Sequence, residues 1–305
     1  MRPPRLISLG MCAQDAIYRV TAIPARPVKV LANHYRECGG GMAANAAVAA
    51  ARLGASVQYW GRTGDDALGR RITDELAAEG VDITHVRRVS DCVSPSAAIL
   101  VDPQGERLIC AYNDPALDDD ADWLPLQTIE TVDAVLADVR WPKGARVVLD
   151  AARRAGKISL LDADFGPADD VRDLVARASH VAFSEAGLAV CADGEPGAAL
   201  RKIAPLTQAL VGVTLGAEGF LWLDQDGEHH IPGMRVRALD TLAAGDVWHA
   251  ALAIALTERC DMAHAARFAN AAAAIKCSRT GGRQGAPTRA EVDNALVNYS
   301  VKSMC

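Results

Sequence analysis

The stretch Asp240-Thr241-Leu242-Ala243-Ala244-Gly245-Asp246-Val247-Trp248-His249 runs straight into Ala250-Ala251-Leu252-Ala253-Ile254-Ala255-Leu256, a polar turn feeding an apolar helix. Small residues at 243–245 let backbone N–H groups gather at the helix start, where four donors lack intrahelical partners and the dipole end is positive. Such a corner binds anions, phosphate above all. Asp246 directs a carboxylate into it, which is electrostatically awkward unless that group accepts a proton during chemistry. A base beside a phosphoryl-transfer site reconciles the two, with the amides of Ala243, Ala244 and Gly245 facing the phosphoryl oxygens. The plainer alternative is a first-turn acid favoured by the helix dipole.

Outward from this turn, helical and extended segments alternate. Helices are expected at 42–53, 66–79, 143–155, 168–178, 197–206, 244–258, 262–277 and 288–298. Strands are expected at 5–10, 56–60, 133–137, 157–162, 180–183, 209–213 and 219–223. The alternation predicts an α/β three-layer sandwich, a mainly parallel central sheet flanked by helices. Residues 16–37 and 93–113 are β-rich with no helix between strands, and predict a small second sheet acting as a lid within a single domain over 1–305. The exposed edges of such a lid are a hazard, and pairing two lids across a two-fold would cover them.

The chain has 305 residues, half of them apolar, and a formal charge of −6. That fits one large α/β domain. There is no basic stripe for nucleic acid and no apolar run of membrane-spanning length. The start leads directly into the strand at 5–10, so no signal peptide is read. The cysteines at 12, 38, 92, 110, 191, 260, 277 and 305 form no Cys-x-x-Cys pair, which predicts reduced thiols in a cytoplasmic protein without a structural zinc.

Three further constellations bear on chemistry. Gly39-Gly40-Gly41-Met42-Ala43-Ala44-Asn45 opens an alanine-rich helix. It fits a loose dinucleotide fingerprint, but residues 29–38 make a poor buried strand before it. The other functional reading is close backbone approach to a polyol, with Asn45 hydrogen-bonding hydroxyls; a turn that merely starts a packed helix remains open. Asp15, just after the first strand, would point into the crevice where α/β sheets bind ligands, or would be a surface loop acid. Asp138-Val139-Arg140-Trp141 ends a strand with a cation at the sheet edge, where Arg140 would pair with a substrate anion or, structurally, with Asp138. Asp118-Asp119-Asp120 with Asp122 reads as a solvated loop, His229-His230 as exposed strand, and His249 as packing or solvent-facing.

The 240–246 turn resembles the C-terminal signature of the ribokinase (PfkB) family of small-molecule kinases, Asp-Thr-x-Gly-Ala-Gly-Asp, with Ala243 in place of the first glycine. If the backbone there has positive φ, Ala243 costs about 1 kcal/mol of strain; if φ is negative, nothing is lost. The resemblance covers essentially the whole chain. It implies an ATP-dependent sugar kinase using Mg²⁺, with Asp246 as base, and Asp15, Gly40, Gly41 and Asn45 lining the sugar site. Thr214, Gly216 and Gly219 match the family's Thr-x-Gly-x-x-Gly turn that contacts ATP. Asn270, Ala273 and Ser278 fall in segments beside the adenine, where many members also hold a monovalent cation such as K⁺ by carbonyls. The family's Asn-x-x-Glu is replaced by Ser184-Glu185-Ala186-Gly187, so Mg²⁺ would be held mainly through ATP phosphates and water, with Glu185 as a substitute acid. Within the family the chain resembles the sulfofructose kinase branch, which places Lys29 and Arg140 on a sugar sulfonate. An asparagine of that pocket is Ala111 here, with Asn113 two residues on. Family members often pair lids, so a homodimer is expected. The rival readings are a kinase for a neutral sugar or nucleoside and a ligand-binding homologue without turnover.

Overall fold

The computed structural model describes residues 2–117 and 119–302, so Asp118 and Cys305 lie outside the described residues. In chain order the strands and helices begin with β1 (Arg5–Gly10), β2 (Ala13–Arg19), β3 (His34–Gly40), α1 (Met42–Arg52), β4 (Ser56–Gly64), α2 (Ala67–Ala78), β5 (Val86–Val89), β6 (Ser96–Val101) and β7 (Arg107–Tyr112). Then follow β8 (Ala134–Asp138), α3 (Pro142–Arg154), β9 (Ile158–Ala163), α4 (Ala168–Val175), β10 (His180–Ser184), α5 (Glu185–Cys191) and α6 (Pro196–Ile203). The chain ends with β11 (Leu210–Thr214), β12 (Phe220–Asp224), β13 (Gly227–Ile231), α7 (Ala244–Thr257), α8 (Met262–Cys277) and α9 (Arg289–Lys302).

Successive side chains of a strand point to opposite faces, and the apolar strands feed two cores accordingly. Leu6 and Leu136 pack with α1, α2, α7 and α8, while Ile7, Leu9, Val135 and Ala137 pack with α3, α4, α5 and α6. Between these helical layers lies a nine-stranded sheet in the order β13-β12-β11-β10-β9-β8-β1-β4-β5, parallel from β11 to β5. The β11–β12 and β12–β13 pairings are antiparallel, so β12 alone runs against the other strands. The fold is the three-layer α/β sandwich expected from the alternation. Helix α1 is buried along nearly its whole length, which its alanines permit because small side chains let it sit close to β1 and α7.

A second sheet, β3-β2-β6-β7, is the lid; its small core of Ile17, Cys38, Ala97 and Ile99 is joined by Leu242 from the turn before α7. Strand β3 explains the poor apolar pattern of 29–38: it belongs to the lid, and the glycine turn after it follows no core strand. The dinucleotide reading therefore lacks its strand. Asp15 likewise lies inside β2 at the root of the lid, rather than in a loop after β1. Helix α5 and strand β5 were not expected. Both are short, and neither Glu185–Cys191 nor Val86–Val89 is long enough for a periodicity to declare itself. The seven described cysteines are free thiols, with Cys12, Cys38, Cys92 and Cys191 buried. No helix among the described residues is long and apolar enough to cross a membrane.

Candidate active site

Strands β1, β8, β9, β10 and β11 end at one edge of the sheet, where the N-terminal ends of α1 and α7 also arrive. Parallel sheets bind ligands at this edge. Asp246, in the first turn of α7, accepts a hydrogen bond from Asn45 Nδ2 of α1 at 2.7 Å. Thus two residues 201 positions apart meet at the turn. Asn45 Oδ1 is buried without a partner, an acceptor left open for a ligand hydroxyl. Asp15 is 7% exposed. A Cβ on Gly40 would lie 2.3 Å from its carboxylate, and one on Gly41, at φ +88, would lie 2.5 Å from Met11 O. Those glycines let the β3–α1 turn pass tightly against both.

Burial drives the Asp246 carboxyl well above the ordinary carboxylate range, and the charge of Asp162 pushes the same way, opposed by the Asn45 bond. Asp162, on β9, is raised for the same first reason, with Asp164 and Asp138 adding to it. A base poised above its usual range is suited to work near neutrality. His249 completes this group. Its Nδ1 lies 2.8 Å from Gly245 O and 3.4 Å from Asp162 Oδ2, and its Nε2 lies 3.1 Å from Ala182 O. The ring is buried, as the packing reading expected and against the solvent-facing one, and it also fixes the first turn of α7 to β9 and β10. Sequence spacing gave no signal for it, because its partners are distant in the chain.

Burial also raises Asp15, to about 6, partly offset by Arg283. The folded state then holds the Asp15 proton more tightly than the unfolded chain does. Stability is full below the ordinary value and is lost as pH rises through the interval up to about 6. Asp15→Asn removes that loss. It should add on the order of 2–3 kcal/mol of stability at pH 8, shrinking as pH falls towards 4, and weaken sugar binding. Urea unfolding at the two pH values measures this; no gain at pH 8 means that Asp15 carries no such strain.

At the expected anion corner the Ala244 amide is already taken, donating to Thr241 O at 3.2 Å, so it is not one of the free donors the sequence suggested. Gly245 has no heavy atom within 4 Å of where a Cβ would stand, so the start of α7 faces open space. Ala243 adopts φ 64, ψ 12, the left-handed region. The strained alternative is the one realised. Ala243→Gly should therefore raise stability by about 0.5–1 kcal/mol, with Tm up by about 1–3 °C in a thermal melt. A fall in Tm would show that the Cβ contributes packing that outweighs the strain. A cleft of about 1070 Å³ adjoins this turn, between Asp240, Thr241 and Leu242 on one side and Arg19, Arg36 and Arg107 of the lid on the other.

Other expected residues are placed differently. Arg140 donates to Asp164 Oδ2 at 3.0 Å, and only its backbone N–H reaches Asp138. Asp164 also accepts from Ser184 Oγ at 2.7 Å, while Ser184 caps α5. Lys29 is exposed between β2 and β3 and makes no hydrogen bond or ion pair with a described residue. Asn113 is exposed beyond β7, the lid strand farthest from β3. Asn270 is not available to a nucleotide. Its Oδ1 accepts from Trp248 Nε1 at 2.8 Å, and its Nδ2 donates to Ile231 O and Pro232 O at 3.3 and 3.2 Å. Ser278 donates to Ile275 O and ends α8, and Ala273 is half-buried on that helix against the core. Thr214 ends β11 with its hydroxyl on Phe183 O. Gly216 has positive φ and open space beside it, whereas a Cβ on Gly219 would lie 2.1 Å from Ile231 O, so Gly219 serves close packing of the turn.

Glu185 is exposed in the first turn of α5, directly after Ser184, whose Oγ donates to Asp164. Among the described residues no group of three His, Cys, Asp or Glu side chains is arranged to hold a metal ion. Mg²⁺ asks for no more than one or two carboxylates when phosphates and waters complete its shell, and Asp164 and Glu185 fit that limited part.

Residues 4–289 match the pfkB family of carbohydrate kinases. The chain is 31% identical over 295 residues to a ribokinase of Bacillus subtilis, covering 94% of this chain and 98% of that one. It is 28% identical to an aminoimidazole riboside kinase of Salmonella typhimurium, over 88% and 91% of the two chains. A crystal structure of an Agrobacterium tumefaciens protein assigned as a ribokinase superposes with a TM-score of 0.93 at 34% identity, covering 97% of this chain and 98% of that one. The chain belongs to the pfkB family of carbohydrate kinases, and it is an ATP-dependent kinase of that fold.

Proposed function

We propose that the chain transfers the γ-phosphoryl group of ATP to the primary hydroxyl of a neutral pentose or ketose, ribose or fructose in type, free or as a riboside. The observation that carries this is the single hydrogen bond joining Asn45 to Asp246, which ties a hydroxyl-binding turn to a base in an anion corner. Asp15 and the open Asn45 Oδ1 both accept hydrogen bonds, as hydroxyls require. The anionic-sugar reading loses its support. Arg140 is already paired with Asp164, which leaves it less available to a substrate anion. The relatives named above are a ribokinase and a riboside kinase, and those substrates fit this acceptor-rich surface better.

In this reading Asp246 takes the hydroxyl proton as the oxygen attacks. The amides of Ala243, Gly245 and Asp246 face the charge on the phosphoryl oxygens, while that of Ala244 closes the turn onto Thr241 O. Mg²⁺, which kinases of this family use, neutralises charge on the nucleotide phosphates. Thr214 and Gly216 border the nucleotide, and closure of the lid excludes water. A kcat/KM panel of ribose, fructose, adenosine, 6-deoxy-6-sulfofructose and fructose 6-phosphate tests it. Neutral substrates are expected to exceed anionic ones by at least about 100-fold, the scale of one badly mismatched charge. A preference for the sulfonate would return Arg140 to the substrate site.

We also infer a homodimer through the lid. Strand β7 is exposed throughout and presents Leu108, Ile109 and Tyr112 along an open sheet edge. A second copy would cover it. Light scattering at micromolar concentration should give twice the chain mass, and a monomer there rejects the pairing.

A further inference from the structure

Lys276 is the one lysine among the described residues that the fold buries completely. It leaves the last turn of α8, and its Nζ donates to the backbone oxygen of Asp240 at 2.6 Å and stands 3.3 Å from Asp240 Oδ1. Asp240 is the first residue of the turn that forms the anion corner, and its carboxylate organises what surrounds it. Oδ1 accepts from the amide of Leu242 at 2.9 Å; Oδ2 accepts from Gly281 and Gly282 at 2.8 and 3.1 Å. The oxygen of Cys277 is likewise taken, by the amides of Leu239 and Asp240. One half-buried carboxylate thus ties the 240–242 turn to the 281–282 turn, and one buried ammonium balances its charge.

In this same place the family resemblance implies a monovalent cation held by carbonyls. The residues do not fit one. The oxygens of Asp240 and Cys277 are occupied by N–H donors, and the charge of Arg107 from the lid reaches Lys276 and Cys277 as well. A further cation would meet two positive groups and find few free lone pairs. A fixed ammonium has the charge of K⁺ and donates to the same kind of oxygen.

We propose that the Lys276 ammonium is a built-in replacement for the monovalent cation, holding Asp240 and hence the 241–246 turn in place, so that turnover needs no added K⁺. Lys276 is in this sense a positioning residue that acts through Asp240 and touches no substrate. The inference rests on the kinase reading for its activity arm, and a binding arm independent of turnover separates the two.

The wild-type protein is assayed with ATP and ribose or fructose at constant ionic strength in K⁺, Na⁺ and tetramethylammonium chloride. Expected rates agree within twofold. A rise of tenfold or more in K⁺ overturns the proposal. Thermal melting of the same protein in the same three salts is the second arm. Melting within 1 °C in all three is expected, and a K⁺-specific increase of several degrees overturns it even if no sugar is phosphorylated. Lys276→Gln should lose at least tenfold in kcat with little change in sugar KM, and K⁺ or NH₄⁺ should restore part of it while tetramethylammonium does not. If Lys276→Gln fails to fold, Lys276→Arg, which keeps the charge, should fold and stay indifferent to K⁺. A folded Lys276→Gln that keeps full activity without K⁺, or a K⁺-dependent Lys276→Arg, sinks the idea.

Discussion

Asp246→Asn is expected to lower kcat by about 10²–10⁴-fold while sugar binding largely survives. The two side chains are isosteric, and an asparagine oxygen can still accept from Asn45 Nδ2, now 2.7 Å from the carboxylate. The variant therefore removes the proton acceptor without removing the contact that positions it. Because burial and Asp162 raise the Asp246 carboxyl well above its ordinary range, the wild-type acid limb should also sit well above the ordinary carboxylate range. Activity is lost as pH falls through that raised value, since the base must be unprotonated to act. The stability effect has the opposite sense. A folded state that favours the protonated acid loses stability as pH rises, so Asp246→Asn should melt higher than wild type at neutral pH. Single-turnover rates and thermal melts report the two effects separately. Near-full turnover by the variant would exclude Asp246 as the base.

Much of this was legible in the sequence because the decisive signals are local. The 240–246 turn, the glycine turn before α1 and the alternation of strands and helices each sit in one stretch of chain. Ala243 was legible only as a pair of outcomes, since a backbone angle is not written in residue type. What escaped was long-range. Asp162, Asp164 and His249 take their meaning from contacts across strands, and Lys276 looks like any lysine in a helical last turn until its burial is known. Arg140 misled for the same reason: its neighbour in sequence is Asp138, but its side chain finds Asp164, 24 residues away. Asn270 misled because a polar residue near a nucleotide segment is equally suited to tying three elements of the scaffold together.

Asp138→Ala should be the most damaging change to stability at this edge of the sheet. The carboxylate, 1% exposed at the end of β8, accepts three backbone N–H groups: Met11 at 2.8 Å, Ala43 at 3.1 Å and Arg140 at 2.8 Å. These come from the β1–β2 link, the first turn of α1 and the β8–α3 link. Burial alone pushes the Asp138 carboxyl up, and the same three amides pull it down. Losing the side chain relieves the buried charge but strands up to three buried donors, each at a cost of about 1–3 kcal/mol. The second effect wins, and a net loss of about 3–4 kcal/mol is expected by urea unfolding. Asp138→Asn keeps one accepting oxygen and should cost roughly half as much. Function should fall further than stability alone dictates, because Ala43 opens the helix that carries Asn45 to Asp246. Under conditions where Asp138→Ala remains folded, kcat should therefore still drop. A loss of under about 1 kcal/mol would mean that water replaces the carboxylate at all three amides and that the turn before α1 holds its position without it.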